Sequence, residues 1–403
     1  MKRKLLSIAA AAVCALGGAA QAQISDGIVK IGVLNDMSGL YSDITGQGSV
    51  VAAKMAVEDY IKASGSKLKV EVVGADHQNK PDVGSNIARQ WYDTDKVDMI
   101  ADVPTSSVGL AIAQISKEKG KLHVNSGSAT ADLSGKACNA NTIHWTYDTW
   151  MLANGTGKAI VKNGGNSWFF LTADYAFGHA LERDTEAVVT QNGGRVVGKV
   201  RTPFPTQDFS SFLLQAQASK AKIIGLANAG GDTTNSIKQA AEFGITKGGQ
   251  NLAGLLVFLP DVHSLGLNIA QGLMLTETFY WDLNDQTRAW TKRFASANGG
   301  KYPSMVQAGV YSSVLHYLKA VDAAKTDDGT KVTAKMKELP TDDPLFGKGT
   351  VRADGRKIHP AYLFEVKKPS ESKGPYDYYK LVATIPANEA FRPMAEGGCS
   401  LVK

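Results

Sequence analysis

The chain has 403 residues, 43% of them hydrophobic and 20% charged, which is too long for one core and suits two. Its formal charge is +6, but Lys2, Arg3 and Lys4 belong to a leader, and 44 − 3 = 41 basic against 38 acidic residues leaves +3. So weak an excess offers no basic field for nucleic acid.

Lys2, Arg3 and Lys4 precede a short apolar run ending near Leu16, followed by Ala20-Gln21-Ala22. This is the pattern of a secretion signal, with cleavage expected after Ala22. The run is too short for a membrane span, as is "NLAGLLVFL" further on, so an exported, soluble protein is expected. Cys14 leaves with the leader, and Val13 before it is not the small residue that a lipid-attachment signal carries. Cys138 and Cys399 remain, and in an oxidising compartment they read as a disulfide, with two free thiols as the alternative.

After the leader, short β-rich runs alternate with amphipathic helical stretches. "IVKIGVL" leads to a helix near 48–63, "LKVEVVGA" to one near 82–92, and "VDMIAD" to one near 107–119 before "KLHVNS". A second series follows "TIHWTYDT": a helix over 150–162, "SWFFLTA", a helix over 176–191, "RVVGKVR", a helix over 209–218, "AKIIGLA", a helix over 233–243 and the strand "LAGLLVFL". After "GLMLTETFYW" come helices over 285–297, 303–324 and 332–339, then a β-rich tail with "AYLFEVK" and "YYKLVAT". Such alternation predicts an α/β protein of two doubly wound parallel-sheet lobes, with a cleft at the carboxyl ends of both sheets.

Enzyme chemistry has little support. Gly46 and Gly48 have the first spacing of a dinucleotide fingerprint, but Val51 holds the third position, and the glycines lie far beyond the strand. No Walker loop and no nucleophile elbow occur, and the seven histidines are scattered without metal-ligand spacing. No catalytic residue, metal or cofactor is therefore expected. Asp232 reads most simply as a helix cap, with ligand contact as the alternative.

The strand-to-helix loops are more informative. "NDMSGLYSDITGQG", "DVPTSSVGL", "NSGSATADLS", "TADYAFGHAL" and "ANAGGDTTN" combine small residues, hydroxyls and occasional aromatics. Hydroxyls and free amides before the helix "VGLAIAQI" suit an anion held without a cationic side chain, or simple helix capping.

These stretches, with "YPSMVQAGVYSSVLHYLKAVDAA" and "GKGTVRADGR", resemble the type I periplasmic substrate-binding proteins of ABC importers, the family of the leucine/isoleucine/valine-binding proteins. The resemblance covers almost the whole mature chain. It implies two lobes joined by three crossovers and closing on a ligand: residues 23–146 and 276–350 in lobe 1, 147–275 and the 351–403 tail in lobe 2. It implies Thr105 and Ser106 as donors to a ligand carboxylate, Ser128 and Ala129 as a second donor loop, and Tyr41 against the ligand body. It places Tyr175, Phe177, Asn228 and Ala229 on the opposing lobe. Phe258 stands where amino-acid-binding members carry an acidic residue for the ligand ammonium, and an unpaired buried ammonium costs several kcal/mol. A small organic acid, aromatic and of the benzoate or cinnamate kind, is therefore the expected ligand. A branched-chain amino acid, or a sensor role for the same fold, is the alternative. A monomer in the periplasm, delivering its ligand to an inner-membrane ABC permease, completes the expectation.

Overall fold

Strands β1 (Val29–Asn35), β2 (Val70–Asp76), β3 (Met99–Asp102), β4 (Leu122–Asn125) and β5 (Thr142–His144) form a parallel sheet in the order β2-β1-β3-β4-β5. This is a computed structural model, and it describes residues 24–402. The expected leader and its cleavage after Ala22 lie outside the described residues. Strands β3 and β4 are buried along their whole length, as strands covered by helices on both faces must be. The helices Gly46–Ser64, Pro81–Asp93 and Ser106–Lys119 supply that cover.

The second lobe repeats the plan. β6 (Ser167–Ala173), β7 (Arg195–Thr202), β8 (Ile223–Ala227) and β9 (Asn251–Gly254) form a parallel sheet in the order β7-β6-β8-β9. β10 (Met274–Glu277) comes next in the chain. β11 (Thr341–Asp343), β12 (Gly347–Val351) and β13 (Lys357–Ile358) make a small antiparallel sheet, and β14 (Ala361–Val366) and β15 (Tyr379–Ile385) complete one with β10. In each parallel sheet the order reverses beside the first strand, between β1 and β3 and between β6 and β8. The loops leaving those strands diverge there and open a crevice.

Two elements differ from the sequence expectation. "LAGLLVFL" is not one strand: β9 ends at Gly254, and a helix starts at Leu259, where Pro260 fits the first turn and Asp261 accepts the Phe258 amide at 2.9 Å. The helix over 150–162 carries a π-helical stretch, Ala153–Gly157. It packs so closely on β10 that a Cβ at Gly155 would lie 2.3 Å from Thr276 Oγ1.

The chain passes between lobes after β5, after β10 and after β13. Between the second and third passages, the helices Asp285–Ala297, Met305–Ala324 and Gly329–Glu338 return to the first lobe. There Arg293 pairs with Asp59 at 2.7 Å and Ser304 donates to the Ile44 carbonyl at 2.6 Å. Arg356 bridges to His144 at the edge of the first sheet. Cys138 and Cys399 form a disulfide that returns the tail to the first lobe. Among the described residues no helix is long and apolar enough to cross a membrane.

Candidate functional site

The two crevices face each other, and between them lies a narrow, nearly closed cavity. The first lobe contributes Tyr41 and Ile44 from the loop after β1, Pro104 from that after β3, and Gly127 and Ala129 from that after β4. The second contributes Tyr175 and Phe177 after β6, Ala229 after β8, and Leu256 and Phe258 after β9. Tyr147 of the first crossover and Val306 of a returning helix close the sides. A wider depression on the second lobe, lined by Gly165, Lys222, Asn251 and Gln271, lies at the amino ends of its strands, away from these loops.

The first loop is built on Asp36, which is fully buried. Its carboxylate accepts from the amides of Gly39 at 2.7 Å and Tyr41 at 2.8 Å, and from Asn79 Nδ2 at 2.6 Å. Gly39 is needed for this approach, since a Cβ there would lie 2.8 Å from that carboxylate. Asn79 in turn accepts the Thr105 hydroxyl. One buried network thus ties the loop that presents Tyr41 to the start of the helix Ser106–Lys119.

Of the residues singled out in the sequence, Tyr41, Ala129, Tyr175, Phe177, Ala229 and Phe258 share this cavity wall. The side chains of Thr105, Ser106, Ser128 and Asn228 are engaged behind it. Ser106 Oγ accepts the Thr130 amide at 3.2 Å, and Ser128 donates to the Val103 carbonyl. Asn228 accepts from Thr233 at 2.7 Å and donates to Ser236. Because the Thr105 hydroxyl turns to Asn79, the helix that follows starts without a side-chain cap. Its first amides, beside Pro104 in the wall, keep their donor capacity and the positive end of the helix dipole.

Sequence reasoning missed Tyr147. Its hydroxyl donates to the Gly127 carbonyl at 2.7 Å, and its ring meets Phe258 edge-on at 6.0 Å. It sits in "TIHWTYDT", an irregular crossover with no periodicity to mark which side chain turns inward. Gly127 serves by size: a Cβ would lie 2.5 Å from Pro104 Cα.

No charged side chain is among the residues that line the cavity. Carboxyls lie behind the wall instead. Asp102, Asp232 and Asp261 are each pushed up to about 7 by burial, and burial drives Glu277 well above the carboxylate range. Burial thus lessens the negative charge held behind the wall, and the lining itself is an apolar, aromatic chamber with amide donors at one end.

Comparison with known proteins agrees with this architecture. The family model described as periplasmic binding protein matches residues 28–374. The crystal structure of a periplasmic binding protein from Burkholderia mallei is 52% identical, covers 94% of this chain and 100% of its own, and superposes with a TM-score of 0.90. A branched chain amino acid ABC transporter periplasmic ligand-binding protein from Burkholderia xenovorans is 42% identical, with coverage of 93% and 100% and a TM-score of 0.82. A solute binding protein of an R. palustris ABC transporter, solved in complex with benzoate, shares the fold at 21% identity, with coverage of 93% and 100% and a TM-score of 0.78. With two matching lobes around one cleft, and a family model spanning most of its length, the chain belongs to the periplasmic binding proteins and is a binding protein, not an enzyme.

Proposed function

We propose that this protein is the extracytoplasmic solute-binding component of an ABC uptake system, closing its lobes on a small aromatic carboxylate and delivering it to a membrane permease. The observation that carries the reading is the cavity wall: Tyr41, Tyr147, Tyr175, Phe177 and Phe258 surround it, and no lining side chain is charged. The uncapped first turn at Ser106 and the loop through Ala129 supply backbone donors for the carboxylate, and the aromatic rings take the ligand body. Contact with both lobes stabilises the closed state by the difference in affinity between the two states.

A branched-chain amino acid is the second reading. It is favoured by the name of the 42% identical relative and by Asp232, whose Oδ2 is buried without a partner and could meet an ammonium. A thermal-shift comparison of benzoate, cinnamate and leucine decides between them. A ligand at a hundredfold its dissociation constant adds about 2.7 kcal/mol, so the true class raises the melting temperature and the other does not. A shift with leucine alone would replace the aromatic reading, and no shift with any carboxylate would remove the anion site.

A further inference from the structure

Tyr41 and Tyr175 come from opposite lobes, yet their hydroxyl oxygens lie 2.5 Å apart. Both residues line the cavity. Phe204, from the loop after β7, stacks on Tyr175 with ring centroids 4.3 Å apart and on Tyr41 at 5.9 Å. Three rings from two lobes therefore form one continuous roof. Its supports are close-fitting on both sides. Asp232 Oδ1 accepts the Thr206 amide at 3.1 Å, tying down the loop that carries Phe204. The Leu40 carbonyl accepts the Gly231 amide at 3.4 Å, joining the lobes directly behind Tyr41.

Among the described residues the two hydroxyls hydrogen-bond only to each other. Two phenols carry two hydrogens, and a single bond between the oxygens uses one. The other remains available to an oxygen on a bound molecule.

We propose that Tyr41 and Tyr175 form the specificity-determining clasp of this cavity, meeting as the lobes close, limiting how far the ligand extends, and offering the spare hydroxyl hydrogen to the ligand end farthest from its carboxylate. The inference rests on reading the cavity as a site for a small acid. A ligand that stops short of the roof leaves the phenol pair and the Phe204 stack intact. One that extends further holds the two tyrosines apart and forfeits both, so it stabilises the closed state less. The clasp discriminates by what closure costs, and the contacts nearer the carboxylate are unaffected.

The test is titration calorimetry of the purified protein with benzoate, 4-phenylbenzoate, L-leucine and L-homophenylalanine, which form a short and a long member of each ligand class. The variants are Tyr41→Ala, Tyr175→Ala, and Phe204→Ala, which opens the roof but keeps both phenols; circular dichroism checks that each folds. The wild type should favour the short over the long member by about a hundredfold, a discrimination within reach of a shaped pocket. Either tyrosine variant should narrow the ratio to below about tenfold by gaining the long member, with Phe204→Ala in between. An unchanged ratio in folded tyrosine variants would overturn the clasp. Binding of the amino acids in place of the aromatic acids would overturn the proposed ligand class, and the leucine to homophenylalanine ratio would then judge the clasp. If the wild type bound none of the four, both proposals would fall.

Discussion

Arg356 Nη1 donates to the main-chain carbonyl of Tyr147 at 3.0 Å, across 209 positions of sequence. The guanidinium also donates to the Trp145 carbonyl at 3.0 Å, faces Asp148 at 3.6 Å and lies over the Phe391 ring at 4.2 Å. Arg356 is fully buried, and burial lowers it to about 10, which leaves it charged at neutral pH. One side chain near the last passage between lobes thereby holds the first passage, and with it the tyrosine that walls the cavity.

Arg356→Met should therefore be costly. It removes the donor to the carbonyls of Tyr147, Trp145 and Lys357 and leaves Asp148 without its ion-pair partner, a loss of about 3–5 kcal/mol in urea denaturation. Arg356→Lys keeps a charge but not the planar fork, so it should recover only part of the stability and leave Tyr147 less well held. A methionine variant within about 1 kcal/mol of the wild type would show that the network contributes little.

Gly230 offers a test of closure at a glycine that faces the opposite lobe. It has φ +56°, and a Cβ there would lie 2.6 Å from the Leu40 carbonyl oxygen and 2.8 Å from Tyr41 Cδ1, both on the other lobe. Gly230→Ala should hold the lobes apart and weaken binding of the cognate ligand by at least about tenfold, at a cost of about 1–3 kcal/mol in folding stability. Small-angle scattering should then show a larger radius of gyration with ligand present than the wild type has. An unchanged radius and affinity would contradict the contact.

Asp102 makes stability depend on pH. Oδ2 accepts from Asn35 at 3.0 Å, Oδ1 has no partner, and burial raises the carboxyl to about 7. An unfolded aspartate titrates near 4, so the folded protein holds this proton more tightly. Its contribution is complete below about pH 4, declines as the pH rises towards 7, and is absent above. The stability advantage of the wild type over Asp102→Asn should be larger at pH 5 than at pH 8. Equal differences in melting temperature at the two values would show that the group does not titrate in this range.

The disulfide closes a loop between positions 261 apart, and the tail beside it is held by Arg392, which pairs with Asp184 at 2.9 Å. Chain entropy assigns such a cross-link up to about 5 kcal/mol. Reduction, or Cys138→Ala with Cys399→Ala, should lower the urea midpoint accordingly while circular dichroism keeps its α/β signature. A midpoint unmoved by reduction would mean that side-chain contacts alone seat the tail.

Much of the architecture is a local property of the chain. Buried parallel strands read as apolar runs such as "IVKIGVL" and "SWFFLTA", and amphipathic helices between them leave the lobes few alternatives. The order of strands also puts the loops after β1, β4, β6 and β8 at the cleft, and Tyr41, Ala129, Tyr175, Phe177 and Ala229 are on the wall for that reason. "LLVFL" misleads because an apolar run looks the same as a strand or as a loop entering a helix, and Pro260 decides only once Phe258 has turned inward.

What the tertiary structure alone decided is where side chains find their partners. Thr105, Ser106 and Ser128 look alike in sequence, but the Thr105 hydroxyl bonds Asn79, 26 positions away, and Ser128 bonds Val103, 25 away. No short pattern encodes such a choice, because a buried hydroxyl turns to whichever acceptor the packed loops bring within reach. Tyr147 and Arg356 belong to the same class, separated in sequence and joined only when the first and last passages between lobes lie side by side. Local hydrophobic pattern determines the two lobes and the loops between them, and long-range hydrogen bonding determines which residues of those loops face the cavity.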